Sequence, residues 1–334
     1  MRKINFYASE LQYFDHMIPI WVELPEMYKG TFYVNRDIFE FREQAKNNCR
    51  KGLPKSDELV LVSSFGDYCK TQGDVMFMEH GIGHTYPKED GVIHPSYAGG
   101  INKERVVLFL NQHEHSLKLN QKTYPNAQQA IIGTPKMDSW KLSEVKGRKV
   151  CFAFHWDCMV CPETRTSFYY YENELKRILD MKDRGYEVWI HAHPRAFGKW
   201  QKFVATRLRG HNVRFIKDFR TVMEEIDVYV NDNSSTMYEF ACLDKPVIML
   251  NKPEYRRDVN LGLRFWEYPC GVSVDEPSEL HSKILQTLDN PNEYKHLRDK
   301  VREDLYPYWH HSAKRASEVI IDFLERERDD IEDC

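Results

Sequence analysis

The sequence predicts an α/β protein built as two Rossmann-like halves facing each other across a central cleft. Three observations predict it. Strand-like and helix-like segments alternate along the chain without hairpin signals, which favours parallel, doubly wound sheets. The alternation breaks once, over the polar, turn-rich segment Gly133 to Gly147, and then restarts. Polar clusters also fall directly after three predicted strands, where ligands bind in such sheets. A chain of 334 residues is long enough for two domains of ordinary size. The expected divisions are 1–140, 148–309 and a C-terminal helical segment 310–334 that packs back across the cleft.

The first half opens with an apolar strand, Ile4 to Ala8, and a helix capped by Ser9 and ended before Pro25. Thr31 to Val34, Glu58 to Ser63 and Asp74 to Met78 read as strands, with a helix over Asp37 to Asn48. Strands at Arg105 to Leu110 and Gln129 to Ile132 flank a helix near Gln112 to Lys122. Gly133 to Gly147 lacks an apolar period and reads as the linker.

The second half repeats the alternation. Strands are expected at Lys149 to Phe154, Tyr186 to Ile190, Val213 to Ile216 and Gly271 to Val274. Helices are expected at Tyr171 to Arg184, Lys199 to Arg209, Arg220 to Glu225, Glu279 to Leu288, Asn292 to Asp304 and Ser312 to Glu327.

The most informative stretch is Val228 to Leu250, VYVNDNSSTMYEFACLDKPVIML. A β-branched and aromatic strand runs into Asn231, Asp232, Asn233, Ser234 and Ser235, and an apolar-periodic helix follows. Unpaired N–H groups at the helix start and a hydroxyl-rich turn suit a phosphate, although the same residue types are ordinary N-caps. Glu239 lies one turn further on, where a carboxylate can accept from a ribose hydroxyl. The other two clusters are His80 with Gly81, Gly83 and His84, and His191 with His193. A histidine at a strand end is suited to move a proton near neutral pH, and glycine lets the backbone approach a ligand.

Composition removes several classes. Net charge is -4 with a pI near 6.4, so no global basic field favours nucleic acid. No window reaches the length of an apolar membrane span, and no signal peptide opens the chain, so a cytoplasmic protein without a transmembrane segment is expected. Eight scattered cysteines read as reduced thiols. The HWDCMVC segment, with His155, Cys158 and Cys161, has no second ligand pair at finger-like spacing, and no metal site is expected.

Four strings in order, EHGIGHT (Glu79 to Thr85), GTPKMD (Gly133 to Asp138), HAHP (His191 to Pro194) and NDNSSTMYEFACLDKP (Asn231 to Pro246), carry a resemblance. The chain resembles the CDP-glycerol glycerophosphotransferase family, the teichoic-acid polymerases and primases, of the GT-B glycosyltransferase superfold. The last string is long and specific; the others are short. The resemblance implies an acceptor-side first half and a nucleotide-donor second half. It implies that His80 is the base on an acceptor hydroxyl and that His193 stabilises the donor phosphates. Ser234, Ser235 and Thr236, with Asn233, would hold the pyrophosphate, and Glu239 the ribose. Gly81, Gly83, His84, His191, Asp232 and Lys136 complete the expected cleft.

The expected activity is transfer of a glycosyl or glycerophosphate group from a CDP- or UDP-type donor to a hydroxyl of a glycan or polyol polymer. Charge on the leaving nucleotide is neutralised by dipoles and side chains, without cofactor or metal. The sequence departs from the family strings after His80, at Asn233 in place of tyrosine, and at Phe152 to Asp157. Only a weak echo of the family's C-terminal arginine segment stands at His310 to Arg315. Two alternatives follow: transfer to hydroxymethylated DNA bases, with Lys136, Lys141, Lys146, Arg148 and Lys149 as a basic edge, and nucleotide-sugar 2-epimerisation.

Overall fold

The computed structural model describes residues 2–35, 48–82, 86–87, 93–94, 103–159, 162–255 and 268–332. Gly83, His84 and Cys161 lie outside this set, as does the helix expected from Asp37 apart from its last residue. The chain divides into two compact units. One comprises Met1–Tyr86, Ile93–Trp140 and Glu303–Cys334; the other comprises Pro87–Val92 and Lys141–Arg302.

The first unit contains β1 (Ile4–Ala8), α1 (Leu11–Glu23), β2 (Lys29–Val34), β3 (Cys49–Lys51), β4 (Val60–Val62), α2 (Phe65–Tyr68) and β5 (Val75–Met78). Two-residue strands β6 (Tyr86–Pro87) and β7 (Ile93–His94) form a separate ribbon. Then come β8 (Val106–Asn111), α3 (Glu114–Thr123) and β9 (Gln128–Ile131). The main sheet has the order β3-β2-β1-β4-β5-β8-β9, with every pair parallel. Strands β1, β4 and β5 are buried along their whole length, which is why they read as unbroken apolar runs.

The second unit contains β10 (Lys149–Phe154), α4 (Phe168–Asp180), β11 (Glu187–Ala192), α5 (Phe197–Arg207), β12 (Val213–Phe215), α6 (Phe219–Glu225) and β13 (Val228–Asn231). It continues with α7 (Thr236–Cys242), β14 (Val247–Leu250), β15 (Val272–Val274), α8 (Leu280–Asp289) and α9 (Lys295–Leu305), which runs through the unit boundary. Its sheet order is β12-β11-β10-β13-β14-β15, again fully parallel. In both sheets the order reverses beside the first strand, between β1 and β4 and between β10 and β13. These are the topological switch points.

The last helix, α10 (Ser312–Glu332), belongs to the first unit. Ala316, Val319, Ile320, Phe323 and Leu324 join Phe14, Met17 and Trp21 of α1 in one core. Two expectations are corrected here. Ser9 does not cap α1: Glu10 holds that position, and the Ser9 N–H donates to Asp67 Oδ2 at 2.9 Å. Gly133 to Asp138 is not linker but a folded part of the first unit, and the chain passes between units at Trp140 and Lys141. The reason is tertiary. The Asp138 carboxylate accepts from the Ser312 and Ala313 N–H groups and so caps α10. Trp309 Nε1 donates to the Met137 carbonyl, and His310 Nδ1 donates to that of Asp138. Gly133 has φ +81, and a Cβ there would meet the Pro307 carbonyl oxygen at 2.2 Å, so only glycine fits.

Candidate active site

The second unit gathers its polar groups at the β10/β13 switch point. β10 ends at Phe154, β13 at Asn231 and β11 at Ala192, so His155, Asp232 and His193 emerge together at the carboxyl edge of the sheet. Asp232, 2% exposed, organises the edge. Its Oδ1 accepts from the His155 and Asn233 N–H groups at 2.8 and 2.9 Å. Its Oδ2 accepts from Ser167 N at 2.9 Å and Thr166 Oγ1 at 3.2 Å. Its carboxylate therefore pins the loop after β10, and Asp232 positions the site rather than offering a charge to a ligand.

Asn233 acts in the same way. Its Nδ2 donates to the carbonyls of Glu163 and Arg165, and to Tyr255 Oη at 3.3 Å. Asn231 completes the turn: its Nδ2 donates to the Ala153 carbonyl and its Oδ1 accepts from Ser234 N at 3.1 Å. Hydroxyls are left at the mouth of this turn. Ser234, Ser235 and Thr236 are partly exposed. Ser234 and Thr236 bond to each other at 3.0 Å, and Tyr229 Oη meets Thr236 Oγ1 at 2.9 Å. Ser235 stands at the N-cap of α7 without a capping side-chain bond. Glu239 lies within α7 and is buried.

The two histidines differ: His191 lies within β11 and His193 follows it. His191 is buried and donates from Nδ1 to the Ile216 carbonyl at 2.9 Å, with its ring against Phe219. It is a packing residue. His193 is partly exposed, and its Nδ1 accepts from the Arg195 N–H at 3.2 Å. In the neutral ring the proton is therefore on Nε2, the form that donates to an anion. The His155 ring lies 5.5 Å from that of His193. Burial lowers the His155 pKa, and its Nδ1 donates to the Thr164 carbonyl at 3.1 Å.

In the first unit, His80 follows β5. Its Nδ1 donates to the Ser63 carbonyl at 2.9 Å, which places the lone pair on Nε2 as a base requires. Gly81 has φ +87, so the chain turns away from His80 through a left-handed residue. Lys136 lies on the short turn Pro135–Met137. Its charge and that of His80 add to burial in holding the His16 imidazole well below the ordinary histidine range. Glu79, directly before His80, is 4% exposed, and burial pushes its carboxyl up to about 8.

Sequence reasoning missed His16, Tyr13 and Ser63 around His80, and Thr166, Ser167 and Arg165 in the loop tied to Asp232 and Asn233. Arg165 Nε is buried without a partner among the described residues. None of the six lies in a recognisable string, and only contacts distant in sequence mark them. Of the basic edge, Arg148 pairs with Asp289 at 2.8 Å and Lys149 with Glu225 at 2.6 Å, so both charges are matched locally. A groove of about 510 Å³ at the start of α10 is lined by Tyr308, His311, Lys314, Arg315 and Glu318. Lys245, in the LDKP part of the long string, is a structural cation. Its Nζ donates to the carbonyls of Met223, Glu224 and Ile226 and closes the end of α6.

Residues 158–326, just over half of the chain, match the family model described as CDP-Glycerol:Poly(glycerophosphate) glycerophosphotransferase. The chain belongs to that family. It is thus an enzyme of the glycerophosphotransferase and glycosyltransferase-like type. No curated protein matches it significantly. Among solved structures it is similar to the wall teichoic acid polymerase TagF, at 14% identity, TM-score 0.62, covering 97% of this chain and 89% of that one. It is also similar to a putative UDP-N-acetylglucosamine 2-epimerase from Listeria monocytogenes, at 14% identity, TM-score 0.65, covering 97% of both chains. S. aureus MnaA with UDP gives 13% identity, TM-score 0.62 and the same coverage. At these identities the likeness concerns the fold, which is of the GT-B type. Among the described residues no group of three or more His, Cys, Asp and Glu side chains is placed to hold a metal, and no helix is long and apolar enough to cross a membrane.

Proposed function

We propose that this enzyme transfers a glycerophosphate or glycosyl group from a nucleotide-diphosphate donor of CDP or UDP type to a hydroxyl acceptor. The observation that carries the reading is the Asp232-pinned turn at the β10/β13 switch point. It holds the Ser234, Ser235 and Thr236 hydroxyls at the same carboxyl edge as His193, with β10 between the two strands that deliver them. In this reading the three hydroxyls bind the donor phosphates, and His193 donates from Nε2 as charge develops on the leaving nucleotide. Glu239 is assigned to the ribose, and His80 to the acceptor hydroxyl, whose proton its Nε2 accepts. Asp232, Asn233 and His191 support the site through their hydrogen bonds. The family match favours CDP-glycerol as the first donor to try, and a TagF structure was obtained after a soak with CDPG.

The reaction is proposed to run without metal or cofactor, with the three hydroxyls and the His193 imidazole supplying the stabilisation. Turnover lost on chelation and restored by a divalent ion would contradict this. A polyol or glycan acceptor is favoured over DNA because Arg148 and Lys149 already have carboxylate partners. The test is mass-spectrometric product analysis with CDP-glycerol, CDP-ribitol and UDP- and GDP-sugars, each with and without a polyol acceptor. Group transfer dependent on acceptor is expected. Conversion of UDP-N-acetylglucosamine to an epimer with no acceptor present would replace the transferase reading by the 2-epimerase one.

A further inference from the structure

His16 of α1 is 3% exposed, and its Nδ1 is buried without a hydrogen-bond partner. No hydrogen bond among the described residues reaches its ring. Buried polar atoms in native proteins are almost always paired with protein or water, and an unpaired one calls for an explanation. The surroundings supply one. The His16 and His80 ring centroids are 6.4 Å apart at an interplanar angle of 77°. Two hydrogen bonds of about 2.8 Å meeting at one oxygen near the tetrahedral angle separate their nitrogens by about 4.6 Å, and adding about 1.1 Å per ring gives roughly 6 to 7 Å between centroids. The observed spacing is compatible with one oxygen between the two imidazoles.

The rest of the wall fixes both rings. Tyr13, one turn before His16, stands edge-on to His80 at 4.6 Å. Ser63 ties the two elements: its hydroxyl donates to the Tyr13 carbonyl at 3.3 Å, and its carbonyl accepts the His80 Nδ1 proton. Tyr13 comes from α1, Glu79 directly precedes His80 after β5, and Lys136, from the turn after β9, acts on His16. Burial favours the neutral Glu79 carboxyl, and the Lys136 ammonium disfavours a proton on His16.

We propose that His16 is a second substrate-binding residue, which holds the acceptor hydroxyl oxygen while His80 receives its proton. This rests on the transferase reading above. The neutral His16 ring donates an N–H to the oxygen. As that oxygen bonds to the transferred group, the group's bond to the nucleotide phosphate breaks, the electron pair leaves with the nucleotide, and the hydroxyl proton passes to His80 Nε2. Water in place of the hydroxyl gives slow donor hydrolysis by the same route.

The test uses the full chain and CDP-glycerol, measuring nucleotide release into water and the donor-induced rise in Tm. His16→Phe is expected to slow release at least tenfold with the Tm rise unchanged, and His16→Gln, which retains a donor, to recover part of the rate. Wild-type release by His16→Phe overturns the proposal. So does a loss of rate matched by loss of the donor-induced rise and not recovered by His16→Gln, which would make His16 structural. If the wild-type protein neither binds nor turns over the donor, the transferase reading fails separately, and imidazole ¹⁵N NMR of the free protein decides the oxygen site. A His80 Nε2 resonance that moves in His16→Phe supports it; one that stays in place overturns it.

Discussion

Asp232 Oδ1 accepts the His155 backbone N–H at 2.8 Å, joining the loops that leave strands β10 and β13 at the point where the sheet order reverses. The same carboxylate holds Thr166 and Ser167 through its other oxygen. One buried side chain thus sets the shape of the turn carrying Ser234, Ser235 and Thr236.

Asp232→Ala is expected to lower stability by about 3 kcal/mol or more, because several buried donors lose their acceptor at once. Asp232→Asn should cost less, since one oxygen remains. Urea unfolding measures both. If Asp232→Ala were as stable as the wild type, the carboxylate would not be the pin described.

Asp138 is expected to matter for α10 and not for the donor. Removing the cap with Asp138→Ala should cost about 1–2 kcal/mol and speed hydrogen exchange at the Ser312 and Ala313 amides. Donor-induced stabilisation should be unaffected. Loss of that stabilisation in a folded Asp138→Ala protein would show that the GTPKMD string has a direct role at the donor site.

Glu79 predicts a slope of stability with pH. Burial raises its carboxyl from 4.5 to about 8, so between those values the folded state retains a proton that the unfolded chain has released. Its contribution is complete below about pH 4.5 and is lost as pH rises through about 8. At about 1.4 kcal/mol per pKa unit, the effect amounts to several kcal/mol at most. Glu79→Gln should flatten that part of the profile, and its stability advantage over the wild type should grow with pH. Parallel Tm-versus-pH curves for the two proteins would contradict the assignment.

Much of this architecture was legible because buried parallel strands write themselves as apolar runs. Lys149 to Phe154 and Ile4 to Ala8 have the expected bounds. β3 and α2, of three and four residues, are too short to carry a period. GTPKMD read as linker because its partners, Pro307 to Ala313, lie some 170 residues away, and polarity alone does not distinguish a socket from a loop. His16 was invisible for a related reason. On the buried face of α1, an imidazole between apolar neighbours reads as packing until the fold brings it to His80. The family strings located the donor turn, but which of its polar residues are ligands and which are struts is a matter of hydrogen bonds.

The most direct test of the central claim is the rise in Tm caused by saturating CDP-glycerol, or by the best CDP- or UDP-type donor in its place, in the wild type and in a Ser234→Ala, Ser235→Ala double variant. A ligand that binds only the folded state raises Tm, by about 2.7 kcal/mol of stabilisation at a hundred times its Kd. A clear rise is expected in the wild type and its loss in the double variant, with the unliganded Tm little changed. An equal rise in both proteins, or no rise in the wild type with any nucleotide donor, would contradict it.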